Sequence, residues 1–266
     1  MLPDIDKVTA LISDVAAAEI LPRFRQPDRQ EVREKGPGDL VTLADEAAER
    51  ELTRRLSALL PGSVVIGEEA VAADIRVLER IHGDEPVWII DPVDGTGNFV
   101  AGKPVFGVIV ALVRGGETLA GWIHDPCTGR TMTAARGEGA WMGGERLRAA
   151  APAAVEAMQG IVNARFFEAP VRSHILAAAG RLGRHFSQQC SAHDYLAVVT
   201  GSAHFALNAL IKPWDHAAGV LMHAEAGGHS AKLDGLRYAP TDREGGLLLA
   251  PDRESWRALR ELLFGV

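Results

Sequence analysis

Two carboxylates and a glycine follow directly after an apolar run near the middle of the chain. Residues 87–90 predict a buried strand, and the segment Asp91-Pro92-Val93-Asp94-Gly95-Thr96 comes next. Carboxylate oxygens are ligands that Mg²⁺ and Mn²⁺ prefer, and a glycine lets the backbone approach a phosphate closely. Open α/β sheets bind ligands at the carboxyl ends of their strands. We therefore predict a site for a hard cation and a phosphate group at this turn.

Two more acids fit the same chemistry. Glu68 follows a β-branched run at 63–66, and Asp215 opens a predicted helix over 215–225. Taken singly, Asp215 is a good helix N-cap and Glu68 begins a helix, and the adjacent His216 is interpreted as a surface or helix-start histidine. The two cysteines, Cys127 and Cys190, lack the spacing of a thiolate zinc site. The four acids together favour one oxygen-ligated metal site.

Composition excludes several classes of protein. The 266 residues are 47% hydrophobic, which allows a sizeable core, and the formal charge of −7 argues against binding a nucleic-acid polymer. No uncharged stretch approaches the roughly 18 residues of a membrane span. We expect a soluble, cytoplasmic protein with no membrane association.

The elements around these acids alternate between helix and strand. Helical spacing predicts a helix over 5–24 that ends before Pro27, a flexible loop at 35–38, and a second helix that follows a capping box of Thr42 and Asp45. Residues 105–135 predict an antiparallel meander. Further strands are predicted at 160–163, near 186 and at 247–250, and further helices at 171–182, 194–200, 215–225 and 255–264. The sum is an α/β layered protein, with a division near residue 150.

Four segments, in the same order and with similar separations, resemble the inositol monophosphatase family. They are GDLVTLAD (38–45), IGEE (66–69), WIIDPVDGTGNF (88–99) and WDHAAGVLMHAEAGG (214–228). The resemblance implies an α/β fold, a layered αβαβα sandwich in one phosphatase domain. Its two subdomains would be a metal-binding and phosphate-binding part at about 1–148 and a substrate side at about 149–266. It also implies a homodimer that hydrolyses small phosphate monoesters with Mg²⁺ and is inhibited by Li⁺.

The resemblance also implies roles for individual residues. Metal ligands would be Glu68, Asp91, the Val93 carbonyl, Asp94 and Asp215, which hold two or three ions, and Asp94, Gly95 and Thr96 would bind phosphate. Thr42 and Asp45 would lie near the catalytic water, and Lys35 near a basic residue of a mobile loop. Phosphate ester hydrolysis requires in-line positioning and charge neutralisation. We therefore predict that Thr96 and Glu68 orient a metal-activated water and that no phosphoenzyme forms.

The residues at the positions expected to select the alcohol match the family's residues less well. Asn208 falls where inositol-specific members carry a glutamate, and Cys190-Ser191-Ala192 replaces a Gly-Thr-Ala segment. Ser191, Ala192, Asn208 and Asp215 are therefore predicted to bind substrate, while Lys103 either faces the pocket mouth or is a solvated loop lysine. Inositol phosphate or a related polyol phosphate is favoured over histidinol phosphate and over nucleotides such as 3′-phosphoadenosine 5′-phosphate.

Two rival functions remain open. Phosphatases of the haloacid dehalogenase type carry a similar DxDGT motif, but their acids are two residues apart, whereas Asp91 and Asp94 are three apart with a proline between them. The other rival is a metal-dependent binding or regulatory protein on the same fold. The complete set of acids disfavours it, and the sequence identifies no protein partner.

Overall fold

The computed structural model describes residues 2–26, 32–36 and 39–265. Within them lie eight α-helices: α1 (Ile5–Val15), α2 (Leu43–Leu59), α3 (Glu68–Ala73), α4 (Thr96–Val100), α5 (Ala169–Ala179), α6 (Ser191–Val199), α7 (Pro213–Glu225) and α8 (Arg253–Phe264). The described strands are β1 (Arg33–Gly36), β2 (Asp39–Val41), β3 (Val64–Gly67), β4 (Val87–Asp94), β5 (Gly107–Arg114), β6 (Glu117–Asp125), β7 (Arg130–Ala135), β8 (Gly139–Met142), β9 (Glu145–Arg146), β10 (Gln159–Asn163), β11 (Arg184–Phe186), β12 (Phe205–Asn208), β13 (His229–Lys232) and β14 (Leu247–Ala250).

Two large sheets organise the molecule. The first has seven strands in the order β3-β4-β5-β6-β7-β8-β9, in which β3 and β4 are parallel and the remaining pairs are antiparallel, as the predicted meander requires. The second has the order β11-β10-β12-β14-β13, with β10 parallel to both of its neighbours. A two-stranded hairpin of β1 and β2 stands apart from both sheets.

Helices cover both faces of each sheet. Helices α1 and α2 bury their apolar residues against one face of the seven-stranded sheet, around Trp88 and Trp122. Residues of α6 and α7 join the core between the two sheets. Helices α5 and α8 pack on the outer face of the five-stranded sheet. The layers therefore run α, β, α, β, α, and the predicted sandwich is confirmed.

The first predicted helix is shorter than its apolar pattern suggests. Helix α1 ends at Val15 and continues as a π-helical turn (Ala16–Ile20) and a 3₁₀ turn (Leu21–Arg23). Pro22 lacks the N–H that a continuing α-helix needs, so the chain leaves the helix there. The predicted end at Pro27 lies outside the described residues.

The predicted loop at 35–38 is partly wrong. Lys35 and Gly36 belong to β1, which pairs with β2, while residues 37–38 lie outside the described residues. The pattern that favoured a loop was its glycine and proline content, and a short hairpin uses the same residue types.

Two predicted helix starts are also wrong by a few residues. Helix α7 begins at Pro213, so Asp215 lies inside the first turn rather than at the N-cap, which is Lys212. Proline at the first helical position costs no hydrogen bond and has the φ of a helix, which explains the earlier start. Helix α6 begins at Ser191 rather than near Asp194.

The predicted division near residue 150 falls between the two sheets along the chain, because β9 closes the first and β10 begins the second. Whether the two parts are separate subdomains stays a prediction. No helix in the described part of the chain has the length and apolarity needed to span a membrane.

Candidate metal and phosphate site

Three carboxylates from two distant parts of the chain converge at the end of β4. Asp91, Asp94 and Asp215 each place a carboxylate oxygen within 4.8 Å of the others. The register between β4 and β5 shifts between Asp91 and Asp94, which turns both acids toward one point. Helix α7 crosses the same sheet and brings Asp215 to them from its first turn.

The electrostatics of this cluster are unfavourable without a cation. Burial raises the pKa of Asp91 well above its usual value, and the charges of Glu68, Asp94 and Asp215 raise it further. Burial also raises the pKa of Asp94 and of Asp215. A hard divalent cation prefers oxygen ligands such as these three carboxylates. Its charge would offset both their repulsion and the cost of ionising them where they lie.

A left-handed glycine links the acids to helix α4. Gly95 has φ +85°, a conformation that disfavours other residues, and α4 begins at Thr96. The Thr96 hydroxyl donates to the Val93 carbonyl at 3.0 Å and lies 3.3 Å from a carboxylate oxygen of Asp45. The turn therefore places the predicted phosphate-binding residues directly beside the three acids.

The capping box of α2 also reaches this site. The Asp45 oxygen Oδ2 accepts from the backbone N–H of Thr42 at 2.9 Å and from its hydroxyl at 2.6 Å. The other oxygen, Oδ1, faces Thr96. Burial raises the pKa of Asp45 to about 7, against the lowering effect of the Thr42 hydrogen bonds. The capping interpretation and the predicted site role thus apply to different oxygens of one carboxylate.

Glu68 lies beside the three acids but is engaged elsewhere. Its carboxylate and that of Glu69 both pair with the ammonium of Lys35, at 2.9 Å each. Burial alone would lower the pKa of Lys35, but the charge of Glu68 and the hydrogen bond to Glu69 raise it. The start of α3 is held by Glu49, which accepts from the backbone N–H groups of Glu69 and Ala70 at 2.8 and 2.9 Å.

The start of α6 closes the site on the Asp94 side. The backbone N–H of Ala192 donates to Asp94 Oδ2 at 2.5 Å, and the Cys190 thiol donates to the same oxygen at 3.0 Å. Burial raises the pKa of this thiol well above its usual value, so Cys190 stays protonated and can act as a donor. Asp94 is therefore fixed through one oxygen.

A cavity of about 700 Å³ opens beside the acids. Asp94, Gly95 and Thr96 line it, together with three of the four predicted substrate residues, Ser191, Asn208 and Asp215. The prediction for Ala192 fits this position poorly, since Ala192 is fully buried and gives its N–H to Asp94. Lys103 is exposed and lies outside the cavity lining, which favours the solvated loop interpretation.

His216 lies at the start of α7, as the helix-start interpretation predicts, but it is not a surface histidine. The ring is buried, and its two nitrogens are 2.8 Å from the Tyr195 hydroxyl and 2.9 Å from the Leu210 carbonyl. Burial lowers the pKa of His216 to about 4, so the ring is neutral. It anchors the segment between β12 and α7 at the cavity wall.

Two residues of a polar network on the cavity floor, Asn163 and Asp194, were missed by reasoning from sequence. One N–H of Asn163 donates to Asp194 at 2.7 Å, and the same amide nitrogen donates to Asn208 at 2.8 Å. Asp194 is 3% exposed, and burial raises its pKa to about 7. A lone asparagine at a strand end and an acid inside a helix carry no sequence signal that would identify them.

The raised pKa of Asp194 predicts an unusual pH dependence of stability. In the unfolded chain this carboxyl ionises near pH 4, whereas the folded protein holds its proton to about pH 7. Folding therefore binds a proton between these values, and the contribution of Asp194 to stability falls as pH rises through that window. Asp194→Asn should stabilise the metal-free protein more at pH 8 than at pH 5, by roughly 2–4 kcal/mol.

Urea unfolding of both proteins at the two pH values, in chelator, measures this difference. The exposed Asp84 provides the control, and Asp84→Asn should show no pH-dependent gain. Equal stabilisation by Asp194→Asn at pH 5 and pH 8 would contradict the raised pKa.

Comparisons with known proteins identify the family. The family model described as the inositol monophosphatase family matches residues 3–263. An inositol-1-monophosphatase of Mesorhizobium japonicum is 32% identical over 226 residues, which cover 80% of this chain and 79% of the relative. A protein named Nus factor SuhB, from Salmonella typhimurium, is 31% identical over 217 residues, which cover 79% and 78% of the two chains.

A solved structure gives the same answer at the level of the fold. An IMPase of Thermotoga maritima superposes with a TM-score of 0.83 at 27% identity, over 97% of this chain and 96% of the other. With the family model, the sequence relatives and the architecture in agreement, the chain belongs to the inositol monophosphatase family.

Proposed function

We propose that this protein hydrolyses a small phosphate monoester in a Mg²⁺-dependent reaction, with inositol monophosphate or a related polyol phosphate as the favoured substrate. Family membership supports phosphatase activity. The observation that carries the proposal is the convergence of Asp91, Asp94 and Asp215 beside the Gly95 turn, at the wall of a cavity large enough for a polyol. Converging carboxylates beside a glycine turn suit phosphoryl transfer to water.

The cation would be held by Asp91, Asp94 and Asp215, with the Val93 carbonyl and Glu68 as the further ligands that the family resemblance implies. Two or three Mg²⁺ ions, or Mn²⁺, are proposed. When bound, they would supply charge neutralisation and Lewis acidity to phosphate oxygens. The three aspartates need little rearrangement for this, because their carboxylates already face one another.

The protein's own groups would position the reactants. The backbone at Gly95 and Thr96 would hold the phosphate, since glycine permits the left-handed turn there and the start of α4 presents N–H groups. Asp45, fixed by Thr42, orients the Thr96 hydroxyl. Thr96 in turn would orient the attacking water. Glu68, which pairs with Lys35, would also orient it. Water attack leaves no covalent bond to the protein.

A second candidate is a metal-dependent binding or regulatory protein. Relatives named Nus factor SuhB, at 31% identity, favour this alternative. The two functions separate on hydrolysis, because a purely regulatory protein would release no phosphate from any small ester.

A substrate panel tests the proposal. Purified protein with Mg²⁺ would be given myo-inositol 1-phosphate, histidinol phosphate and 3′-phosphoadenosine 5′-phosphate, and released phosphate would be measured. We expect the highest kcat/KM for the polyol ester. Higher kcat/KM for histidinol phosphate or the nucleotide would overturn the substrate assignment, and no release from any ester would overturn the enzymatic one.

Three further properties follow from the family resemblance alone. They are inhibition by Li⁺, a homodimer and a cytoplasmic location. Each stays a prediction for this chain.

A further inference from the structure

The cavity floor fixes which way the Asn208 amide points. The amide nitrogen of Asn163 donates to a carboxyl oxygen of Asp194 at 2.7 Å. The Asn163 oxygen then faces the Ser187 hydroxyl, which donates to it at 2.5 Å. The remaining N–H of Asn163 points to Asn208 at 2.8 Å and therefore requires the oxygen of that amide. This leaves the NH₂ of Asn208, and not its oxygen, for a ligand.

The Asn208 NH₂ has no hydrogen-bond partner among the residues that the structure describes. Asn208 is 6% exposed and lines the cavity beside Asp215. An NH₂ group can only donate, so it binds an oxygen that accepts, such as a carboxylate or phosphate oxygen. A glutamate at this place would instead accept hydrogen bonds from hydroxyl groups. Asn208 therefore donates a hydrogen bond to the ligand where a glutamate would accept one.

The rim of the same cavity is cationic. Arg165 and Arg172 both line it, although the chain as a whole has a charge of −7. Within the described ranges, neither guanidinium has a carboxylate within 4 Å. Arg172 donates to the Arg165 carbonyl at 3.3 Å, and the Arg165 guanidinium lies 5.2 Å from the centre of the exposed Phe166 ring. Two arginines without acidic partners favour an anionic ligand group.

We propose that the alcohol part of the substrate carries a second anionic group, a phosphate or a carboxylate, which Arg165 and Arg172 bind at the rim while the Asn208 NH₂ donates to an acceptor oxygen nearer the floor. This inference rests on the proposed function, because it assigns the substrate class of the same cavity. The cleaved phosphate lies at the three aspartates, and the second anionic group lies across the cavity from it.

The test compares two substrates that differ by one phosphate. Initial phosphate release from myo-inositol 1-phosphate and from myo-inositol 1,4-bisphosphate would be measured with Mg²⁺, and the ratio of their kcat/KM values taken. We expect a ratio of about ten or more in favour of the bisphosphate, and a fall of about tenfold in the double variant Arg165→Gln/Arg172→Gln. Arg181→Gln, which removes the same charge outside the cavity, should keep the ratio.

Asn208→Asp provides a second, independent variant. A carboxylate there would repel the second anionic group and accept hydroxyl donors, so the ratio should fall below that of the unaltered protein. Circular dichroism would check that each variant is folded.

The possible failures are distinguishable. Release from both substrates with equal kcat/KM, or a ratio unchanged in the arginine variant, would overturn the inference and leave the proposed function standing. No release from either substrate would overturn both. Loss of binding to a structured RNA in the arginine variant, with an unchanged ratio, would assign these arginines to a nucleic-acid surface and overturn the inference.

Discussion

Asp91→Asn is expected to lower kcat on phosphate monoesters by roughly 1,000-fold or more while raising the melting temperature of the metal-free protein. The loss of activity follows because an amide is a poor ligand for a hard cation, and this acid belongs to the three-carboxylate cluster. The gain in stability follows because the neutral amide at the buried position 91 removes one of three mutually repelling carboxyl groups. A gain of about 1 kcal/mol would raise the melting temperature by about 2–4 °C.

Opposite changes in activity and stability distinguish a functional cluster from a structural one. Steady-state kinetics with Mg²⁺ and thermal unfolding in chelator measure the two effects. Asp84→Asn, a change at an exposed acid away from the cavity, should alter neither. Near-normal turnover of Asp91→Asn, or a lowered melting temperature with normal turnover, would show that the cluster is not the reaction centre.

Gly95→Ala is expected to lower both stability and activity strongly. The glycine has φ +85°, and an added Cβ would lie 2.9 Å from the Val105 carbonyl oxygen and 3.1 Å from the Cys190 Cβ. A left-handed conformation costs a non-glycine residue about 1–2 kcal/mol, and overpacking adds about 1–3 kcal/mol. We expect a loss of about 2–5 kcal/mol in the free energy of unfolding. Displacing the turn should also lower kcat/KM, because Thr96 would move with it.

Gly97→Ala is the matched control two residues away. Gly97 has ordinary backbone geometry, and an added Cβ there would meet no atom within 4 Å. Urea unfolding should therefore show little change for Gly97→Ala. If both alanine variants behaved alike, the proposed phosphate-binding role of the Gly95 turn would lose its support.

Local sequence predicted the centre of the site well. Four buried β-branched or aromatic residues ending in two acids and a glycine define a strand end by residue type alone, and the structure brings Asp215 to the same point. The capping box of Thr42 and Asp45 was equally readable, because both partners lie within one turn of helix. These predictions depend on contacts between residues that are close in sequence, or on acidic residues whose position at a strand end indicates metal binding.

Long-range contacts were harder to predict. Nothing in the sequence near Lys35 indicates that it pairs with Glu68, since the pair depends on how the β1–β2 hairpin folds over α3. The floor network of Asn163, Asp194 and Asn208 joins β10, α6 and β12. Its members become neighbours only after the five-stranded sheet has formed. The burial of His216 was missed for the same reason, because it depends on Tyr195 in another helix.

The most direct measurement is phosphate release from myo-inositol 1-phosphate by protein freed of metal with a chelator and then titrated with Mg²⁺. The account predicts no release in chelator, a rise that saturates as Mg²⁺ is added, and no rise in Asp91→Asn at the same concentrations. Release in chelator at the rate seen with Mg²⁺, or normal Mg²⁺ activation of Asp91→Asn, would contradict the central claim that these aspartates hold the catalytic cation.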